Sequence, residues 1–263
     1  MAITAKDVQT LRQSTGVGMM DAKKALEANN GDMEAATQWL RVQGLASAAK
    51  RSDRIAGEGA VAVVRDGNAA GIVELRCETD FVAKSEEFVG LVDEIAARVA
   101  AEGEGATAQF QDRLETLLTT LKENISLGRV HRVEGGEGEV VETYMHQQSG
   151  RGVNAVAVVV RGADRDIAHE IAVHVAFAKP LYLKREDVPT AEVDAERATV
   201  EEISRNEGKP EAALPKIIEG RLNGWFKERV LLEQAYVKDE KQTIEQYLHG
   251  ATISAFAQVV VGG

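Results

Sequence analysis

The sequence predicts an α+β chain: a three-helix N-terminal module, then two related α+β lobes with small antiparallel sheets, and an inserted helical hairpin. Three observations predict it. Within residues 4–43 apolar residues recur at helical spacing, and glycines break the run into three. From Gly59 the period changes to two, with Asp66-Gly67 as a hairpin-turn signal between two runs. Between Asp187 and Arg229 two charged helical runs flank Gly208-Lys209-Pro210. At 263 residues the chain is long enough for two or more domains with a sizeable core.

Thr4-x-x-Asp7 opens the first helix as a capping-box-like pair, with Val8 and Leu11 on its apolar side. Gly16-Val17-Gly18 breaks it. The second helix runs from Asp21 to Asn29, with Ala22, Ala25 and Leu26 on one face and Gly31 beyond its end. Asp32 caps the third, where Met33, Ala36, Trp39 and Leu40 recur until Gly44. Residues 1–44 thus form a module whose core is too small to be robust alone. It resembles the three-helix ubiquitin-associated fold, a binding module, with Trp39 read as core packing. Residues 45–58 are a polar, Ala-rich linker holding Lys50, Arg51 and Arg54. They read as a solvated linker helix, or more sharply as a contact for an acidic partner.

Residues 59–135 read as the first lobe. Ala60–Arg65 is a strand and Ala70–Glu78 the returning strand. Val73, Leu75 and Cys77 take one parity and Glu74, Arg76 and Glu78 the other, the signature of a half-buried strand. Thr79 then reads as an N-cap. Asp80 falls in the first turn, where a carboxylate suits the positive end of the helix dipole. Phe81 stands at this strand-to-helix corner, so its ring is either buried by its own lobe or offered to another molecule. A long helix follows with Phe88, Leu91, Val92, Ile95 and Val99 on one face, ending at Gly103 and Gly105. A second carries Phe110, Leu114, Leu117, Leu118 and Leu121, before a strand near 127–133.

The second lobe takes residues 136–186 and 230–263. Its strands are Val140–His146, Ala155–Arg161 and Ile253–Val261, with a helix from Asp164 to Phe177. Leu231–Val237 is extended, and Thr243-x-x-Gln246 caps a short helix. Helical segments 94–100 and 170–176 are similar and each follows a hydrophobic strand, which reads as a weak internal duplication or as chance likeness of Ala-rich helices. Residues 187–229 form the projecting hairpin, with Pro215 tolerable near the start of its second helix.

Lysine and arginine total 31 against 42 aspartate and glutamate, a net charge of −11. An acidic surface repels phosphate backbones, so direct nucleic-acid binding is not expected, although a local basic patch stays open. The single cysteine, Cys77, cannot form an intrachain disulfide, which fits a reducing cytoplasm; its place on an apolar strand face reads as a small buried hydrophobe. No run approaches the roughly 18 apolar residues of a membrane span. Met1–Asp7 lacks the apolar core of a signal peptide and reads as mature sequence.

Catalytic signatures are missing. His169 and His174 are five residues apart, on different faces of a helix, where the zinc-protease motif needs about four. Gly135-Gly136-Glu137-Gly138 has no following Lys-Ser/Thr of a nucleotide-binding loop. Gly-x-Ser-x-Gly, Cys-x-x-Cys and the dinucleotide fingerprint are absent, and no carboxylate pair stands out for acid–base work. The chain therefore reads as a non-enzyme with neither cofactor nor metal. Its informative features are a corner Asp-Phe pair, a small binding module and an arm.

Leu11-Arg12, Thr15 to Leu26, and Glu74 with Glu78 to Lys84 resemble signatures of bacterial elongation factor Ts, the nucleotide exchange factor of the GTPase elongation factor Tu. The likeness covers nearly the whole chain in order. It includes Tyr144-Met145-His146, His174-Val175-Ala176, Lys179-Pro180, Gly208-Lys209-Pro210 and Glu219-Gly220-Arg221-Leu222. The resemblance implies that Thr79, Asp80, Phe81 and Val82 enter the GTPase beside its Mg²⁺ site. Phe81 would wedge between two helices, Asp80 would help perturb the ion's shell, and the partner's phosphate-binding loop would shift. It also implies secondary contacts by Lys23, Arg51, Leu121, Lys122 and His146, and by Val237 toward the GTPase's distal domain. The complex would be a heterodimer or heterotetramer in the cytoplasm.

Two departures stand out. Leu121-Lys122-Glu123-Asn124 lies where many members have Ile-Gly-Glu-Asn, which puts a close backbone approach at that glycine in doubt. The last strand ends the sequence, so the C-terminal helical module of some members has no counterpart. The arm dimerises in some members, and the sequence leaves that open here. Apart from the resemblance, the residues also allow an adaptor built on the three-helix module, or an enzyme if a pocket with converging polar groups exists.

Overall fold

The capping box at Thr4 forms: Asp7 N donates to Thr4 Oγ1 at 3.2 Å and Thr4 N to Asp7 Oδ2 at 2.8 Å. The structure, a computed structural model, describes residues 3–263; Met1 and Ala2, part of the stretch read as mature sequence, lie outside the described residues. Helices α1 (Ala5–Thr15), α2 (Met19–Ala28) and α3 (Met33–Ala49) bury Leu11, Ala22, Ala25, Leu26 and Ala36 between them. Trp39 packs against this core. One expectation fails: α3 does not stop at Gly44 but runs to Ala49. A Cβ on Gly44 would fall 2.2 Å from Thr119 Cγ2, so this glycine serves a close helix crossing rather than a helix end.

Strands β1 (Glu58–Asp66) and β2 (Ala69–Cys77) form the expected hairpin, and Gly67 takes the left-handed conformation of its turn at φ 56°. A one-turn helix α4 (Asp80–Ala83), a long α5 (Glu86–Glu102) and α6 (Gln111–Leu121) lead to β3 (Ser126–Glu134). The sheet is antiparallel in the order β1-β2-β3. Beyond it come β4 (Glu139–Gln148), β5 (Arg151–Arg161) and α7 (Arg165–Ala178). The hairpin arm is α8 (Thr190–Asn206) and α9 (Leu214–Arg229). The short β6 (Ala235–Tyr236) and β7 (Asp239–Thr243), then α10 (Ile244–Tyr247), precede β8 (Thr252–Val260). The second sheet runs β4-β5-β8, also antiparallel.

Strand parity divides the core. Leu75 and Val73 of β2 meet Phe88, Ile95 and Val99 of α5, while Val156, Val158 and Val160 of β5 meet Ile171 and Val175 of α7. The alternate residues, among them Val61, Ile72, Ala155, Val159 and Val259, bury the two sheets against each other. The result is helix, sheet, sheet, helix. It corrects the half-buried reading of β2, which is covered on both faces. Glu74, placed on the open side by parity alone, is completely buried. Arg129 makes a bidentate pair with it at 3.0 Å through Nε and Nη2, and Arg76 Nη2 adds a third bond at 3.0 Å. Arg129 also donates to the Val260 carbonyl, tying the first sheet to β8.

The arm packs on itself through Val200, Leu214, Ile218, Leu222 and Phe226. At its root the Arg185 guanidinium lies 4.4 Å from the centre of the Phe226 ring, and that of Arg229 lies 4.6 Å from the Trp225 ring.

Candidate functional site

At the end of β2 the chain turns into α4. Thr79 is in extended conformation (φ −124°, ψ 153°), and its hydroxyl accepts from Val82 N at 3.4 Å. Behind it, Glu123 Oε2 accepts from Glu78 N and Thr79 N, both at 3.0 Å, and its other oxygen accepts from the Thr79 hydroxyl. Glu78 Oε1 in turn accepts from Asn124 N at 2.7 Å. Asn124 Nδ2 reaches the carbonyls of Ser52 and Arg54 at 3.1 and 2.8 Å. Three segments far apart in sequence therefore clamp one corner. The resemblance gives Leu121 and Lys122 only as secondary contacts and assigns no role to Glu123 and Asn124, which enter the sequence reading only as the Glu-Asn that ends the same stretch.

The clamp leaves the front of the corner free. Phe81 is 83% exposed, whereas Ala83 is buried and Val82 packs against the first-lobe core. A helical turn puts residues 80 and 81 outward when residues 82 and 83 face in. Asp80 Oδ2 lies 2.5 Å from Lys84 Nζ. That hydrogen bond, helped by the positive charge of Arg151, holds the Asp80 carboxyl below its usual range despite some desolvation. Cys77 is buried one turn behind, its thiol donating to the Thr79 carbonyl at 3.2 Å. Burial, then the nearby Glu123 charge, pushes that thiol up to about 12, so it is inert at neutral pH.

The remaining expected residues spread over several faces. Lys23 is exposed and pairs with Glu27 at 3.7 Å. Arg51 Nη2 donates to the Leu118 carbonyl at 2.9 Å, fixing the linker to α6. Leu121 is partly buried against the first-lobe core. Lys122 caps α6 in the left-handed region (φ 59°), with its ammonium 2.7 Å from Asp21 of the N-terminal module. A position with that φ suits glycine better than lysine, so the departure noted at this residue places a lysine on a backbone that glycine adopts freely. His146 is exposed at the end of β4. Val237, across the molecule, is partly buried and donates its N–H to Nδ1 of the buried His174 at 3.4 Å. Thr79 to Val82 thus stand together; Lys122 and Arg51 tie the module and linker to the core; Lys23 lies on the module's own exposed surface, and Val237 stands apart.

A cavity of about 570 Å³ lies between the N-terminal module and α6, near Thr15, Arg41, Asp112 and Glu115. Its one lining cation is matched: Arg41 Nη2 is 2.7 Å from Asp112 and 3.0 Å from Glu115. No group of three or more potential metal-ligating side chains occurs among the described residues. None of the described helices is long and apolar enough to cross a membrane.

A corner braced from behind and bare in front presents an aromatic ring and a carboxylate at the surface, the arrangement of a protein that meets other molecules through an exposed face. The family profile described as Elongation factor TS matches residues 78–263. Elongation factor Ts of Leifsonia xyli subsp. xyli is 48% identical, with 99% of each chain covered. That of Clavibacter michiganensis subsp. michiganensis is 47% identical, with 98% of each covered, and that of Clavibacter sepedonicus is 46% identical over the same share. The chain belongs to the elongation factor Ts family and is a translation elongation factor.

Proposed function

We propose that the chain binds elongation factor Tu in its GDP state and promotes GDP release by disturbing the partner's Mg²⁺ site, so that GTP can load. The observation that carries this reading is the exposed Phe81 ring on a corner whose backbone is fixed by Glu123. A rigid aromatic that loses little freedom on docking is the kind of side chain that dominates an interface. The neighbouring Asp80 stays ionised at neutral pH and brings a negative charge toward the partner's ion. Mg²⁺ neutralises nucleotide phosphates, and weakening its coordination weakens the hold on GDP. No bond in GDP is made or broken, so the chain acts as a non-enzyme. Factor and nucleotide oppose each other on the GTPase, and by reciprocity incoming GTP expels the factor. The partner is engaged as a heterodimer or heterotetramer in the cytoplasm.

The test is release of fluorescent GDP from elongation factor Tu. The full chain accelerates release, and Phe81→Ala abolishes most of the acceleration. Equal acceleration by the variant would overturn the reading.

A further inference from the structure

The three most exposed large apolar side chains among the described residues are Ile55 at 89%, Phe81 at 83% and Phe177 at 78%. Arg151 links two of them: it lines a cavity with Phe177, and its charge acts on Asp80 beside Phe81. Phe177 lines a cavity of about 530 Å³ together with Gly57, Glu58, His146, Arg151 and Lys179. Ile55 lies two residues before Gly57. On the other side, Arg151 grips β1 through the Gly59 carbonyl and the Glu58 carboxylate (2.7 Å), beside the strand end from which the Phe81 corner springs. Clustered exposed apolar residues with a polar rim mark protein-binding surfaces, and single scattered ones do not.

The charges of this cavity run against those of the chain. The protein carries −11 overall. Here Arg151 is already matched by Glu58. Lys179, the exposed left-handed cap of α7 (φ 49°), makes no ion pair or side-chain hydrogen bond among the described residues, and neither does His146. Lys179 is thus an unmatched cation two residues from an exposed aromatic ring.

We propose that Phe177 and Lys179 form a second anchor for the GTPase that the Phe81 corner engages. The ring docks on an apolar surface, and the ammonium pairs with a partner carboxylate entering the cavity. This rests on the proposed function. It assigns the two anchors different work: Phe81 acts on the nucleotide site, and Phe177 with Lys179 supplies affinity.

The experiment measures two quantities with the full chain: Kd for nucleotide-free elongation factor Tu, and the GDP release rate at saturating factor. Phe177→Ala is expected to weaken binding about tenfold or more while leaving the saturated release rate unchanged. Lys179→Gln is expected to weaken binding and flatten the dependence of Kd on salt. Phe81→Ala lowers the saturated rate. Ile203→Ala, on the exposed flank of the arm, is the control and changes neither. Circular dichroism melts check folding, and the exposure of Phe177 predicts an unchanged melt. Unaltered Kd for Phe177→Ala and Lys179→Gln, with Phe81→Ala still defective, overturns the second anchor and leaves the exchange reading standing. Unaltered behaviour of all three removes both. Concentration-dependent dimerisation of the free chain that Phe177→Ala abolishes, with Kd for the GTPase unmoved, assigns the patch to a second copy instead and likewise overturns the proposal.

Discussion

Glu123 accepts the backbone N–H of Thr79 at 3.0 Å and the Thr79 hydroxyl as well, so one carboxylate fixes both the backbone and the side chain at the head of α4. The residue that aims Phe81 is therefore 42 positions away from it in the sequence.

Removing that brace tests whether aim matters. Glu123→Ala leaves the N–H groups of Glu78 and Thr79 without their acceptor, and unmade bonds of this kind cost about 1–3 kcal/mol. The expected outcome is a lower melting temperature together with a GDP release rate reduced at saturating factor, because Phe81 is present but poorly positioned. Glu123→Gln keeps an acceptor oxygen and should recover part of the rate. A variant that melts early yet releases GDP at the full rate would separate the brace from function.

Glu74 gives the fold a defined response to acid. Burial alone would raise its carboxyl, but hydrogen bonds from Arg129 and Arg76 outweigh burial and hold it below the ordinary value of 4.5. A depressed folded-state value means the stabilisation is present above the unfolded value and is lost as pH falls through the folded one. Urea melts should show stability dropping below about pH 4.5, and Glu74→Gln should show a shallower drop from a lower plateau. The truncation Glu74→Ala is expected to cost about 2–3 kcal/mol at pH 7. That sits under the range for fully buried pairs, because Arg129 and Arg76 are partly exposed and can turn to water.

Much of this architecture was legible in the chain. Capping signals at Thr4, Asp32, Thr79 and Thr243 mark helix starts that form, and the parity of Val73, Leu75 and Cys77 identifies the face turned to α5. The corner itself was legible too, since a cap followed by Asp-Phe fixes which residues begin the turn. What could not be read was anything that depends on packing between elements distant in sequence. Parity says that Glu74 opposes Leu75, but not that a second sheet covers it. Gly44 looks like a helix stop until Thr119 is seen against it. Glu123 and Asn124 carry no local pattern, and their meaning comes only from the carbonyls and N–H groups they reach across the fold.

Close approaches of that kind predict sharp effects from one methyl group. A Cβ on Gly71 would lie 2.5 Å from the Ala96 carbonyl oxygen and 2.6 Å from Ala100 N, both backbone atoms of α5. The helix would have to lift from β2, so Gly71→Ala is expected to cost about 3 kcal/mol. Gly90→Ala is the matched control: it sits in the same helix with open space around its Cβ, and should be neutral or stabilising by up to about 1 kcal/mol. Chemical denaturation of the two variants reads the contrast directly.

Lys122 sets two small effects against each other at the junction of module and core. Its left-handed backbone (φ 59°) costs a non-glycine residue on the order of 1 kcal/mol. Its ion pair with Asp21, exposed on both sides, contributes between about 0 and 1 kcal/mol and is screened by salt. Lys122→Ala keeps the strain and loses the pair, so it should lower stability slightly at low salt and hardly at all at 1 M salt, where the Debye length is about 3 Å. Lys122→Gly relieves the strain while losing the same pair. Its stability should therefore exceed that of Lys122→Ala at every ionic strength, and should pass the parent protein once salt has silenced the ion pair. A glycine variant no more stable than the alanine variant would mean that the left-handed cap is unstrained and that the ammonium alone accounts for lysine at this position.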